Sequence, residues 1–159
     1  MTWKSHRSVT FAVVSAITGG NFLAGGIAAS TAHLPDKIEF SLLPTQSLRA
    51  KYHRTYTHWL LMYVVIVVML FIYMNVNDIS LLSFDIINNM SLIGMGINIL
   101  FWGVVGCLMH VLEDAPCGKI PVFWPKTKLA ICPRLFKVGR LSEYIFDAAV
   151  FAICIYSFF

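Results

Sequence analysis

Charge is scarce in this chain. Asp, Glu, Lys and Arg make up 13% of it, and the acids are fewer than the bases, 8 against 12. A soluble globular surface draws on about a quarter charged residues, so an ordinary water-exposed domain is excluded. Paired cysteines are missing too. Cys107, Cys117, Cys132 and Cys154 form no CxxC element, which argues against a disulfide framework and a sulfur-rich structural metal site. No stretch alternates apolar and polar residues as a membrane barrel requires. Repeats, low-complexity tracts and a separate polar domain are also lacking, leaving no room for a second activity.

What remains is apolar. Of 159 residues, 58% are hydrophobic, with a mean hydropathy of +0.73. Four stretches approach the roughly 20 residues needed to cross a bilayer: Val9 to Ala32, Trp59 to Val76, Leu92 to Leu112, and Tyr144 to Phe159. The last is short and is expected to end in the far interface. Trp59, Tyr73, Tyr144 and Tyr156 sit near run ends, where amphipathic rings favour the headgroup layer. The expectation is an all-α integral membrane protein, a bundle of about four apolar segments forming one membrane-embedded domain over 1–159.

Charge is segregated along the chain. The segment from His33 to Thr57 carries Lys37, Arg49, Lys51 and Arg54, and that from Glu113 to Ser142 carries Lys119, Lys126, Lys128, Arg134, Lys137 and Arg140. Between them, the connection from Asn75 to Ser91 has only Asp78 and Asp85. Positive-inside reasoning puts both basic loops in the cytoplasm of a multi-pass bacterial inner (cytoplasmic) membrane protein. The excess reads first as a topology signal and second as a surface for anionic headgroups; nothing in it points to nucleic acid.

The first apolar segment is irregular. Lys4 and Arg7 followed by an apolar run can pass for a signal peptide, but the run is long and broken by Gly19-Gly20-Asn21 and Gly25-Gly26. A straight helix would put Lys4 and Arg7 opposite the basic loop at Lys37 and hold His6 roughly 45 Å from Asp36. A re-entrant or strongly kinked hairpin removes both difficulties.

Metal-ligating residue types collect at the ends of the apolar runs. His110 and Asp114, four apart, project from one helix face, as two ligands of one metal or as a histidine and its hydrogen-bonded carboxylate. Pro116 and Gly118 stop that helix. In His53-Arg54-Thr55-Tyr56-Thr57-His58 the histidines converge only if one precedes the regular helix, with Thr55 or Thr57 as cap. Arg54 can hold phosphate or carboxylate. Asp36, Glu39 and Glu143 add carboxylates. The mixed nitrogen and oxygen set suits zinc, with manganese or iron as alternatives.

In order, Ser5-His6-Arg7, Leu34-Pro35-Asp36, the hexapeptide from His53, and His110-Val111-Leu112-Glu113-Asp114 with Gly118, Pro121 and Trp124-Pro125 resemble the YdjM-type family of bacterial inner-membrane metal-dependent hydrolases. Leu141-Ser142-Glu143 resembles the leucine and glutamate before that family's final helix. The chain departs from the pattern at Glu39, where the family has histidine, and at Ala115-Pro116-Cys117, which lacks its threonine. The family's ligand order is in turn similar to that of helical zinc phospholipases C and P1-type nucleases, which implies phosphoester chemistry.

The expected function is therefore a membrane-bound metal-dependent hydrolase acting at the cytoplasmic edge on a phosphoester or other lipid-like substrate, such as a phospholipid. His6, Asp36, His53, His58, His110 and Asp114 are the expected metal ligands. Arg54 would steady developing negative charge, and Glu39, Glu113 or Glu143 would serve as ligand, supporting partner or general base. Two rivals stand beside it: a non-catalytic scaffold or accessory subunit with a structural metal or polar cluster, and a haem carrier ligated by His58 and His110.

Overall fold

The computed structural model describes residues 1–82 and 90–157, the side chains of 49–51 excepted. The charges expected at Arg49, Lys51 and Asp85, and the end of the last apolar run, lie outside the described residues. The chain is mostly helical, in the order α1 (Trp3–Ile17), α2 (Phe22–Thr31), α3 (Leu34–Leu42), α4 (Gln46–Tyr52), a 3-10 turn (Tyr56–His58), α5 (Leu60–Val76), α6 (Leu92–Asp114), β1 (Ile120–Trp124), β2 (Thr127–Leu129) and α7 (Leu141–Tyr156).

The first apolar segment is two helices. Gly19 and Gly20 take positive φ of 65° and 92°, a left-handed conformation that side chains disfavour, and the chain reverses there. Asn21 then caps α2 by accepting from Ala24 N at 3.0 Å. The hairpin runs the depth of the molecule. At its tip Asn21 donates to the Leu82 carbonyl; at its base α1 and α3 both reach the end of α6.

Helix α6 is the central element. The helical stretch Leu92–Cys117 is the one among the described residues long and apolar enough to cross a membrane, and α5 is a shorter apolar helix. Ser91 caps α6 by accepting from Gly94 N at 3.0 Å. Gly106 lets α2 approach closely, since a Cβ there would collide with the Ala28 carbonyl and the Thr31 hydroxyl. Thr31 Oγ1 donates to the Gly103 carbonyl at 2.8 Å, so the close approach is also hydrogen-bonded. Fully buried Asn98, on the same helix, accepts from Leu82 N at 2.8 Å and donates to the Ser80 carbonyl at 3.0 Å, tying down the segment after α5.

The expectation of an all-helical chain needs one correction. Strands β1 and β2 pair antiparallel, with Ile120 opposite Leu129 and Trp124 opposite Thr127. Ile-Pro-Val-Phe-Trp is rich in β-branched and aromatic residues, and its N-terminal half is buried against α5 and α6. The threonine caps also differ. Helix α5 begins after Trp59 without a side-chain cap, because Thr55 Oγ1 donates to the Tyr52 carbonyl and Thr57 Oγ1 to Glu39.

Candidate metal centre

Four side chains from three elements converge at one end of the bundle. Pro35 opens α3 and aims Asp36 inward. The 3-10 turn before α5 buries His58 completely, and the last turn of α6 carries His110 and Asp114, exposed by 0% and 2%. His58 Nε2 faces His110 Nε2 at 3.1 Å and Asp36 Oδ1 at 3.3 Å. His110 Nε2 lies 3.6 Å from the same Asp36 oxygen. Asp114 Oδ2 closes the group, 3.6 Å from His58 and 4.0 Å from His110.

The spacing has a chemical meaning. A tetrahedral ion with bonds of about 2.0–2.1 Å holds its ligand atoms roughly 3.3–3.4 Å apart. The five separations above bracket that value. Buried imidazoles and carboxylates would otherwise need protons or partners, and here His6 Nε2 and His110 Nδ1 are buried with no hydrogen-bond partner among the described residues. Two overlapping groups can hold an ion: His58, His110 and Asp114, and His6, Asp36 and His110. The donor set fits a divalent cation that accepts nitrogen and oxygen ligands.

Helix α1 supplies the second group. His6 and Thr10 lie four apart on the buried face of α1, and both meet Glu113. His6 Nδ1 is 2.7 Å from Glu113 Oε2, and the Thr10 hydroxyl donates to Glu113 Oε1 at 2.7 Å. A carboxylate on one ring nitrogen leaves the other, Nε2, turned toward Asp114 Oδ1 at 3.5 Å. The His6 and His110 rings lie 3.9 Å apart between centroids. Asp114 Oδ1 also receives the Met1 nitrogen at 2.7 Å.

Glu39 orients the other side. Its carboxylate accepts from the Arg54 backbone N–H at 3.0 Å and from the Thr57 hydroxyl at 3.1 Å, and stands 3.5 Å from His58 Nδ1. The local backbone serves this contact: Arg54 adopts a positive φ of 54°, rare outside glycine, which turns its N–H onto Glu39. Arg54 Nε also lies 2.8 Å from Asp114 Oδ2, a charge contact at the mouth of the site.

Protonation follows from these contacts. Burial pushes the Asp36 carboxyl up, but hydrogen bonds and charge from His110 and His58 outweigh it and hold the pKa well below the usual carboxylate range. Glu39 is likewise depressed, its burial overcome by His53, His58 and the Arg54 N–H. Burial disfavours charge on His58, yet hydrogen bonds to Asp36 and Glu39 leave its pKa raised. The carboxylates of Asp36 and Glu39 are thus held ionised by the histidines beside them.

Of the six histidines and aspartates expected to bind metal, His6, Asp36, His58, His110 and Asp114 come together. His53 does not join them. Its ring, 48% exposed, packs beside His58, and its Nδ1 meets Glu39 Oε1 at 2.5 Å. Among the residues expected to act in catalysis, Arg54, Glu39 and Glu113 border the group. Glu143 instead receives the backbone N–H groups of Thr2 at 2.6 Å and Gly139 at 2.5 Å, holding the start of α1 to the start of α7. The sequence reading missed Thr10, which the four-residue spacing from His6 would have revealed. It also missed Trp3, whose Nε1 donates to Asp36 Oδ2 at 3.0 Å.

The ordered motifs now have a geometry, and a family model matches across it. The model of the YdjM inner membrane protein family covers residues 1–158. The chain belongs to that family. No curated protein and no solved structure matches the chain. Family membership accounts for the apolar composition, and the buried histidine and aspartate groups can hold a metal ion within that framework.

Proposed function

We propose that this chain is a multi-pass inner-membrane hydrolase that uses a divalent metal, zinc by preference, against a phosphoester of a lipid-like substrate at the cytoplasmic edge. The observation that carries the reading is the convergence of His58, His110, Asp36 and Asp114 at separations of 3.1 to 4.0 Å. The α1–α2 hairpin supports the topology. It returns Lys4 and Arg7 to the end of the bundle that carries Lys37, so all three charges share one side, as the positive-inside rule requires. The whole chain then acts as a single domain.

A divalent ion in such a place supplies an acidified water and an electrophile for a phosphoryl oxygen. The chain's own residues do the rest. His58, His110, Asp36 and Asp114 hold the ion, with His6 extending the set. Glu113 and Glu39 fix the rings of His6 and His58 in the orientation that turns their free nitrogens inward. Arg54, 15% exposed against 2% for its partner Asp114, is the cation at the entrance, able to swing from Asp114 to an incoming anion. Glu143 anchors the backbone that carries His6.

One observation favours a second reading, a non-catalytic membrane subunit with a structural centre. His6, His58 and His110 are fully buried, and both oxygens of Asp114 already have partners, the Met1 nitrogen and Arg54. A haem carrier fits poorly, since 3.1 Å between His58 and His110 leaves no space for a macrocycle. Elemental analysis of the purified chain and of His110→Ala and Asp114→Ala tests the metal reading. Stoichiometric metal in the parent and its loss in both variants is the expected result; undiminished metal in both would reject the assigned site. Hydrolysis of phospholipid substrates, read as release of inorganic phosphate from a phosphomonoester or of a phosphorylated headgroup from a phosphodiester, present in the parent and absent in the variants, separates hydrolase from scaffold.

A further inference from the structure

A second site lies beside the centre without sharing its ligands. Lys4 and Arg7 on α1 and Lys37 on α3 line an open groove of about 620 Å³, whose apolar walls include Phe11 and Phe151. No acid lines this groove, and among the described residues none of the three cations has an ion-pair partner. Unpaired like charges so close together repel unless an anion joins them. Burial lowers the pKa of the His33 ring on the groove wall, and the charges of Arg7 and Lys37 add to that shift against the opposing pull of Asp36.

The groove is graded along the axis of α1. Lys4, Arg7 and Phe11 follow one stripe of that helix, at spacings of three and four. Phe11 therefore sits roughly 10 Å deeper than Lys4, at 1.5 Å per residue. Cations at the outer end with an aromatic wall beneath match a molecule with an anionic head and an apolar tail. Free phosphate would use only the outer end, and a zwitterionic headgroup would bring its own positive charge to the lysines. We propose that this groove is a binding site for the phosphate headgroup and upper acyl chain of an anionic phospholipid. It touches the centre through Trp3, which forms part of the groove wall and donates to Asp36 Oδ2, while Asp36 Oδ1 faces His58 and His110. The proposal rests on the membrane reading of the chain and does not require catalysis.

The test uses the full chain in a non-ionic detergent, titrated separately with short-chain phosphatidylglycerol, the matching phosphatidylcholine, and inorganic phosphate. Binding is read by tryptophan fluorescence, with Trp3→Phe removing the signal, and independently by native mass spectrometry. The expected result is saturable binding of phosphatidylglycerol, weakened roughly tenfold or more in Arg7→Ala/Lys37→Ala through loss of charge-assisted contacts to the headgroup. Lys126→Ala/Lys137→Ala, the same change in net charge made elsewhere, leaves binding intact, and Arg7→Lys/Lys37→Arg retains most of it. Phosphatidylcholine bound as tightly as phosphatidylglycerol would overturn the proposal, as would inorganic phosphate bound as tightly as the lipid, or full affinity in Arg7→Ala/Lys37→Ala. Metal content is measured on the same samples. Lipid binding lost with metal retained supports the groove as a separate site; metal missing from the parent counts against the hydrolase reading and leaves the lipid result standing.

Discussion

His6 on α1 and Glu113 on α6 meet at 2.7 Å across 107 positions of sequence. This contact decides which ring nitrogen of His6 is free. With Nδ1 engaged by the carboxylate, Nε2 faces Asp114, and Thr10 holds the second carboxylate oxygen so that Glu113 itself cannot rotate away. The orientation of the His6 ring is thus set by Glu113, Thr10 and Asp114, three side chains on two helices.

Glu113→Gln should therefore weaken metal binding by about 10- to 100-fold while leaving the helical fold in place, the range seen when the partner of a ligating histidine is changed. An amide can still bond to Nδ1, but it lacks the charge that favours this orientation. Thr10→Val should give a smaller loss in the same direction. Competition titration with a chromophoric chelator measures both, and the double variant should show less than the sum of the two effects because the residues act on one ring. Full additivity would mean that Thr10 and Glu113 act independently.

The conjunction of His6 with Asp36 was readable in advance from Gly19-Gly20 alone; Gly25-Gly26, expected as a second break, continues α2 without interruption. A straight helix could not bring these residues together, and Gly19-Gly20 was the place where the chain could turn. His110 and Asp114 were readable from helical spacing alone. The positions of His53 and Glu39 were not, because they depend on how the irregular segment between α4 and α5 folds back onto α3. Only there does Glu39 become the shared acceptor for His53, Arg54 and Thr57. The β-hairpin escaped for a related reason: β1 is only 5 residues long and interrupted by Pro121, too short for its periodicity to stand out from a basic loop.

Helix packing at Gly106 offers a test of the bundle that is independent of metal. Gly106→Val places a branched side chain against the Ala28 carbonyl and Thr31, and relief requires moving α2 off α6. The expected loss is at least about 1–3 kcal/mol, the usual range for overpacking, because the obstacle includes backbone. Gly96→Ala on the same helix meets nothing within 4 Å and should be neutral or slightly stabilising. Thermal unfolding in detergent, followed by circular dichroism, compares the two.

Arg54 should oppose the ion that its neighbours attract. Its Nε lies 2.8 Å from Asp114 Oδ2, the oxygen that also faces His58 and His110. Arg54→Ala removes a positive charge from the edge of the site and frees that oxygen, so divalent-cation affinity should rise, on the order of tenfold for one charge at this range. Any hydrolytic turnover should fall in the same variant, since the entrance loses its anion-binding cation. Calorimetric zinc titration reads the first effect and phospholipid hydrolysis the second. A fall in both would show that the Arg54 side chain chiefly supports the fold, since Arg54→Ala retains the backbone N–H that bonds to Glu39.

Removing the metal should loosen the whole end of the bundle. The centre joins α1, α3, the turn before α5, and α6, and in its absence buried carboxylates and imidazoles are left to neutralise one another. A ligand that binds only the folded state stabilises it by RT ln(1 + [L]/Kd), about 4 kcal/mol at a thousandfold excess over Kd. Chelation should therefore lower the unfolding temperature of the parent by several degrees or more, and zinc should restore it. His110→Ala should begin at the lower temperature and respond to neither treatment. Because the ligating imidazoles must be neutral to bind, the gain from zinc should shrink as pH falls toward and below the ordinary histidine range. An unfolding temperature indifferent to chelator in the metal-loaded parent would indicate that hydrogen bonds among His6, Glu113, Asp36 and His58 suffice to hold these elements together.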